Sequence, residues 1–260
     1  MARGEVELLP RARVGGLAVM AAVDRELGLA GSKTYMHGAF VVSIFDGEGL
    51  VAVIEADKLG QLRTGAASAV AARHLARPGA RSLGVIGCGW QAEGHVAAMR
   101  AALPGLERVV AYCRSEERLE AFCGKVDAEA GESHREPAEQ DVVVTATTSR
   151  DPVLRGEWLR PGALVCAVGA NDGRSRELDN AVLERAAFVC CDSLAQARRE
   201  SADLIEPVDQ GVLDWLEVHE LHEVAGGGLQ GRAADDDVVV FKSNGIAAWD
   251  VAAAAAVLAR

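Results

Sequence analysis

Clustered basic charge is missing from this chain. Its 27 lysines and arginines are outnumbered by 38 aspartates and glutamates, for a formal net charge of -11 at pH 7. Binding a phosphate backbone or an anionic membrane needs grouped Lys and Arg, so nucleic acid and membrane are excluded as expected partners and small molecules are favoured. Long apolar runs are missing too: none is of bilayer-spanning length, and the opening MARGEVELLPRARV has no apolar core of signal-peptide length. A cytoplasmic location is expected. The six cysteines (Cys88, Cys113, Cys123, Cys166, Cys190, Cys191) form no C-x-x-C pair and read as buried free thiols. Cys190 and Cys191 are adjacent, so on a strand they point to opposite faces and do not readily share a metal. H-E-x-x-H is also absent, and His219 and His222 read as a solvated helix face. No metal site is expected.

What is present suits a well-buried core. Half of the 260 residues are hydrophobic and 25% are charged, enough for one large or two modest domains. From Gly16 to Ala56, glycines punctuate the apolar runs GGLAVMAAV, AGSKTYMHG, AFVVSIFD and GLVAVIEAD, which read as strands and hairpins of an antiparallel sheet. Helical Ala and Leu spacing then runs from Lys58 to Arg77 and stops at Pro78-Gly79, giving a first domain over 1–77. Beyond it, SLGVIG, RVVAYC, DVVVTAT, ALVCAVG and AFVCCD alternate with helical segments. Continuous apolar runs of this kind belong to parallel strands covered on both faces, so 78–235 reads as a doubly wound sheet. The last strand VVVFKS and the Ala-rich helix AAWDVAAAAAVLAR occupy 236–260, the helix read as a packed closing element. The expected class is α/β.

One motif carries chemistry on its own. Gly87-Cys88-Gly89-Trp90-Gln91-Ala92 is G-x-G-x-x-A between a strand and a helix. The first glycine permits the tight turn, the second lets backbone approach a pyrophosphate, and Ala92 allows close helix–strand packing. Unpaired N–H groups at the helix start then face the phosphates, as in a Rossmann-type dinucleotide site. At the end of the second strand, where an acidic residue selects the free ribose of NAD(H), the sequence has Arg114 and Ser115. These suit the 2′-phosphate of NADP(H); the other reading makes Arg114 an exposed helix-start residue, so both cofactors stay open.

AGSKTY, EADKLGQLRTGAASAVAARHLAR, LGVIGCGWQA, AVGAN followed by RELD, SADLIEP and FKSNGIAAWDVA together resemble the ornithine cyclodeaminase/mu-crystallin family, which includes archaeal-type alanine dehydrogenases and ketimine reductases. The resemblance runs from about Leu17 to the C-terminus. It implies a dinucleotide domain plus an antiparallel substrate and dimerisation domain to which 236–260 returns. It places catalytic Lys33 in the substrate pocket, where burial lowers an amine's pKa and suits it to proton exchange. It also implies that Arg63 holds the substrate carboxylate, that Asp203 contacts a distal amine, and that Ser243 and Gly245 border the nicotinamide. Thr147 and Asn171 fall at the carboxyl ends of strands, where open sheets bind ligands. Bottom-up alternatives stand beside these: a solvent-facing strand lysine for Lys33, a helix-start ion pair for Arg63, a helix cap for Asp203.

Two departures from the family pattern stand out. Leu17-Ala18-Val19-Met20-Ala21 lacks an arginine that many relatives carry two residues before methionine, and Arg11 or Arg13 is the expected substitute carboxylate anchor. The N-terminus also reads as shortened. The resemblance implies an NAD(P)-dependent oxidoreductase that transfers hydride at Cα of a small α-amino or α-imino acid, working as a homodimer. The alternatives are an ornithine cyclodeaminase-type lyase with bound NAD and a non-catalytic NADPH-binding crystallin-like protein.

Overall fold

The computed structural model of the chain describes residues 6–259. Five strands come first: β1 (Val6–Val14), β2 (Leu17–Asp24), β3 (Leu29–Met36), β4 (Ala39–Asp46) and β5 (Gly49–Glu55), paired antiparallel in chain order. Alternation buries one face, with Ala18, Met20 and Ala22 inward on β2 and Val42 and Ile44 inward on β4. Full burial of each such Met, Val or Ile side chain is worth about 1.5–3 kcal/mol.

The helix α1 (Asp57–Leu75) leads into β6 (Ser82–Ile86), α2 (Trp90–Ala102), β7 (Arg108–Tyr112), α3 (Glu116–Val126), β8 (Glu129–Ala130), α4 (Arg135–Ala138) and β9 (Val142–Thr145). Then follow β10 (Leu164–Ala167), α5 (Asn180–Glu184), β11 (Ala186–Cys191), α6 (Leu194–Glu200), α7 (Ala202–Asp209), β12 (Val218–Glu220), α8 (Leu221–Ala225), β13 (Val238–Lys242) and α9 (Ala247–Leu258). Strands β6 to β13 form one sheet in the order β12-β11-β13-β10-β9-β6-β7-β8, every neighbouring pair parallel. Each residue of β9, β10 and β13 is buried, as strands covered on both faces require. The fold is therefore α/β, with an eight-stranded parallel sheet and a separate five-stranded antiparallel one.

The chain divides into two compact units, but not where the sequence places the breaks. One unit runs up to Thr64 and resumes at Gly245; the other is Gly65–Asn244. Pro78-Gly79 ends a helix without ending a unit, because α1 already belongs to the second unit from Gly65 onward. A Cβ on Gly65 would lie 2.7 Å from the Gly94 carbonyl oxygen, so glycine is what lets α1 and α2 approach there. The strand expected within 236–260 is likewise not part of the first unit: β13 inserts between β10 and β11 of the parallel sheet, and only α9 returns. Its five buried residues carry the reason, since an edge strand beside a solvated face has no use for VVVFK buried throughout.

In the first unit α9 lies on the inward sheet face, where Ala247, Ala248, Val251 and Ala254 pack with Met20, Ala22, Val42 and Ile44. Gly31 permits the contact, because a Cβ there would sit 2.7 Å from a Val251 methyl. The edge strand β1 has no counterpart in the sequence reading; Pro10 falls inside it, where the register with β2 shifts between Leu9 and Ala12. An edge position with a bulge is where a strand tolerates proline.

Candidate functional site

The glycine turn opens a cavity of about 430 Å³ in the second unit. Gly87, Cys88 and Gly89 line it from the end of β6, Tyr112, Cys113, Arg114 and Ser115 from the end of β7, and Ala146 to Ser149 from the end of β9. Gly87 has φ +110°, and a Cβ there would come within 2.4 Å of the Ala146 carbonyl oxygen, so both conformation and space demand glycine. Gly89 caps α2 with no side-chain acceptor, leaving the first-turn N–H groups of a thirteen-residue helix without a capping side chain. Ala92 is fully buried, Trp90 is exposed, and the buried Oε1 of Gln91 has no hydrogen-bond partner among the described residues. A cradle of this kind fits a pyrophosphate.

At the β7 end the lining is basic. Exposed Arg114 and Arg118 flank Ser115, whose hydroxyl caps α3 by accepting from the Arg118 N–H at 3.4 Å. His134 stacks edge-on to Tyr112 with ring centroids 4.7 Å apart. Burial first, and then the nearby Arg114 charge, hold its pKa below the usual histidine value. No carboxylate from the end of β7 lines the cavity; Asp151 lies among the residues following β9.

Behind the strand ends sits a fully buried charge network. Glu177 accepts from the Thr147 N–H at 2.7 Å, the Thr147 hydroxyl at 2.8 Å, the Thr145 hydroxyl at 2.9 Å and the Gly169 N–H at 2.7 Å. It thereby ties the carboxyl ends of β9 and β10 together. Asp203 accepts from the Glu177 and Leu178 N–H groups at 2.7 and 2.9 Å and pairs with Lys242 at 3.0 Å, while Lys242 donates to the Ala170 carbonyl at 2.6 Å. Asp203, expected as a catalytic residue, is placed inside this network. Its side chain is 0% exposed, with Oδ1 on backbone N–H groups and Oδ2 facing Lys242 as an ion pair, without a hydrogen bond among the described residues. Thr147 lines the cavity while bound to Glu177, and half-buried Asn171 follows β10. Ser243 is buried next to Asp192, with its hydroxyl 3.4 Å from Asp192 Oδ2.

A second cluster lies inside the first unit. Lys33 on β3 places Nζ 2.9 Å from Asp250 Oδ1, and Arg63 on α1 donates from Nε to the same oxygen at 3.1 Å. The three side chains are 4%, 9% and 1% exposed for Lys33, Arg63 and Asp250. Lys33 Nζ also stands 5.4 Å from the Phe40 ring centroid. Burial, above all, and then the Arg63 charge push the Lys33 pKa below the ordinary lysine value, against the pull of Asp250. Arg63 Nη1 is buried with no hydrogen-bond partner among the described residues. Gly245 makes room for that guanidinium: a Cβ there would lie 2.7 Å from Nη1. Of the two arginines expected to replace the missing anchor, Arg11 is buried and reaches the Gly245 carbonyl at 3.4 Å, and its charge acts on Lys33. Arg13 is exposed and lies over Tyr35, its guanidinium carbon 5.8 Å from the ring centroid.

Asp250, Arg118, Glu177 and Lys242 had not been singled out from sequence. For Asp250 there was a signal, since it is the one charged residue in AAWDVAAAAAVLA. A lone carboxylate on a helix otherwise fit for burial needs a buried partner.

An all-parallel sheet whose first glycine turn opens a basic-rimmed cradle, joined to a unit with a buried lysine and arginine on one carboxylate, defines a two-unit α/β protein of the dinucleotide-binding type. More narrowly, residues 2–260 match the ornithine cyclodeaminase/mu-crystallin family, and the chain belongs to it. It is similar to a Δ1-pyrroline-2-carboxylate reductase of Bacillus cereus, with 34% identity over 91% of this chain and 74% of the relative. Among solved structures it resembles an archaeal alanine dehydrogenase dimer with bound NAD (31% identity, TM-score 0.89, 97% of this chain and 84% of that one). The Δ1-pyrroline-2-carboxylate reductase of Thermococcus litoralis in complex with NADH and L-proline is also similar (26% identity, TM-score 0.87, 96% of this chain and 85% of that one). No described helix is long and apolar enough to cross a membrane.

Proposed function

We propose that the protein is an NAD(P)-dependent oxidoreductase of a small α-amino or α-imino acid, of the imine reductase or amino-acid dehydrogenase type. The observation that carries this reading is the buried Lys33, its amine depressed by burial, sharing Asp250 Oδ1 with an arginine whose Nη1 has no partner among the described residues. A buried, unpaired guanidinium N–H calls for an anion, and planar arginine suits a carboxylate. When bound, the nicotinamide supplies or accepts hydride. Arg63 holds the substrate carboxylate, with Arg11 adding positive charge. Lys33 gives a proton to the imine nitrogen in reduction and takes one in oxidation, for which a lowered pKa brings it towards neutrality. The test is NADPH consumption with Δ1-pyrroline-2-carboxylate or with pyruvate plus ammonia: consumption dependent on the imine supports the reading, and none with any imino acid refutes it.

The Asp203 geometry disfavours the cyclodeaminase alternative, because that route needs an acid to hold a terminal amine and Asp203 is engaged in the interior.

The lining at the end of β7 favours the phosphorylated cofactor. Arg114 with Ser115, and Arg118 beside them, offer cationic and hydroxyl donors where a ribose-selecting carboxylate would stand. NADPH is expected to bind more tightly than NADH, and Arg114→Asp to reverse the order in fluorescence titrations. Equal or tighter NADH binding by the wild type contradicts this.

The outward face of the five-stranded sheet suits a second copy of this chain. Val23, Val41, Phe45, Val51 and Val53 are 41%, 40%, 41%, 45% and 63% exposed there, an apolar surface of the sort that interfaces cover. The archaeal alanine dehydrogenase, itself a dimer, lends the comparison. Light scattering at micromolar concentration is expected to give twice the chain mass, and a clean monomer overturns the assignment.

A further inference from the structure

We propose that Asp250 is the positioning residue of the substrate cluster: one carboxylate oxygen fixes Lys33 Nζ and Arg63 Nε together, so that the amine and the guanidinium are presented in a set geometry. This rests on the reading of Lys33 and Arg63 as the groups that meet the substrate. Two cations from different elements, β3 and α1, converge on Oδ1 at 2.9 and 3.1 Å. Neither can be held there by its own element, because a lysine and an arginine side by side repel. A fixed negative charge between them is the physical requirement. It comes from α9, the helix that returns to this unit and packs on β2 and β3 through its alanines.

Among the described residues, the charged groups facing Lys33 are few. Arg11 comes from β1, Arg63 from α1 and Asp250 from α9. Met20 and Val42, its register partners on β2 and β4, are uncharged, as is Phe40. Two cations and burial oppose the protonated amine, and Asp250 is the group that favours it. The second carboxylate oxygen, Oδ2, has no partner among the described residues, so all of Asp250's pairing is spent on Lys33 and Arg63. At 1% exposure the carboxylate acts through those two side chains and does not itself meet solvent.

Asp250→Asn keeps the shape and removes the charge. In reduction, which uses protonated Lys33, the rate falls as pH rises through the Lys33 midpoint. Asp250→Asn is expected to move that fall in kcat/KM to lower pH by about one unit or more, the effect of removing an adjacent opposite charge. KM should also rise several-fold as Arg63 loses its anchor, and Asp250→Glu should restore part of both. The chain has only Lys33, Lys58, Lys125 and Lys242, so lysine-labelled, NADPH-loaded protein gives few side-chain NMR signals, and Lys33→Met assigns the Lys33 one. Its midpoint should fall in Asp250→Asn by the same shift as the kinetic limb. An unchanged midpoint would reduce Asp250 to a packing group and overturn the proposal. If the variant does not fold, the wild type decides: the Asp250 carboxyl carbon signal must move as Lys33 titrates, and a flat signal overturns the proposal. These midpoints are read without turnover, so a wild type inactive on every imine would sink the functional reading while leaving this one separately tested.

Discussion

Lys33→Met is expected to leave NADPH binding unchanged and to lower turnover by about two to four decades, the contribution of a placed general acid or base. The two outcomes separate because the groups lie in different units: the cradle at Gly87–Gly89 belongs to Gly65–Asn244, whereas Lys33 belongs to the unit that ends at Thr64. Methionine fills a similar volume among Met20, Val42 and Phe40 while removing the amine. It leaves Asp250 with Arg63 as its counter-ion, so the buried carboxylate keeps one partner and the unit keeps its fold. Fluorescence titration and steady-state rates on the same preparation check both halves. Turnover within a few-fold of the wild type would make Lys33 a strand residue and no more.

Lys242→Met is expected to be strongly destabilising. Lys242 and Asp203 are both 0% exposed and lie 3.0 Å apart, and Glu177 is buried beside them. Burial, and after it the Asp203 charge, raise the Glu177 pKa above the usual carboxylate value, against the pull of Lys242. Removing the cation leaves two neighbouring buried carboxyl groups with no counter-ion, a loss of about 3–5 kcal/mol. At about 2–4 °C per kcal/mol for a unit of this size, the melting temperature should drop by roughly 6–20 °C. The sign with pH follows from the raised Glu177 pKa: a carboxyl whose folded pKa lies above its unfolded one favours folding when protonated. That stabilisation is lost as pH rises through the folded value. The deficit of Lys242→Met should therefore shrink on acidification and grow towards neutral pH. A melting temperature within about 2 °C of the wild type would mean that the network contributes no net stability.

Much of this was legible in the sequence because period and punctuation carry it. SLGVIG ending in G-C-G, followed by a helix, places the cradle without any structure, since a tight turn and a close phosphate approach admit little else. The antiparallel strands could be read from alternation. What failed did so where position in space, not local pattern, decides. The chain order of VVVFKS says nothing about its insertion between β10 and β11. β1 hides behind Pro10 and its charged residues, because an edge strand need not look apolar. Asp203 reads locally as a helix-start acid near a site, and only the structure shows it buried against Lys242. Asp250 stood alone in an alanine helix, with its partners 217 and 187 residues away in the chain, a separation no local window spans.

The most direct test of the central claim is to run two reactions on one preparation. In the first, NADPH is supplied with a small imino acid, either Δ1-pyrroline-2-carboxylate or pyruvate plus ammonia; in the second, L-ornithine is supplied with catalytic NAD(P)+, and amino-acid product, ammonia and the nicotinamide redox state are followed in both. Net oxidation of NADPH that depends on an imino acid, with the amino acid formed one for one and lost in Lys33→Met, is the result predicted here. Proline and ammonia released from ornithine with no net change in the nicotinamide, and no imine-dependent oxidation in the first reaction, would contradict it.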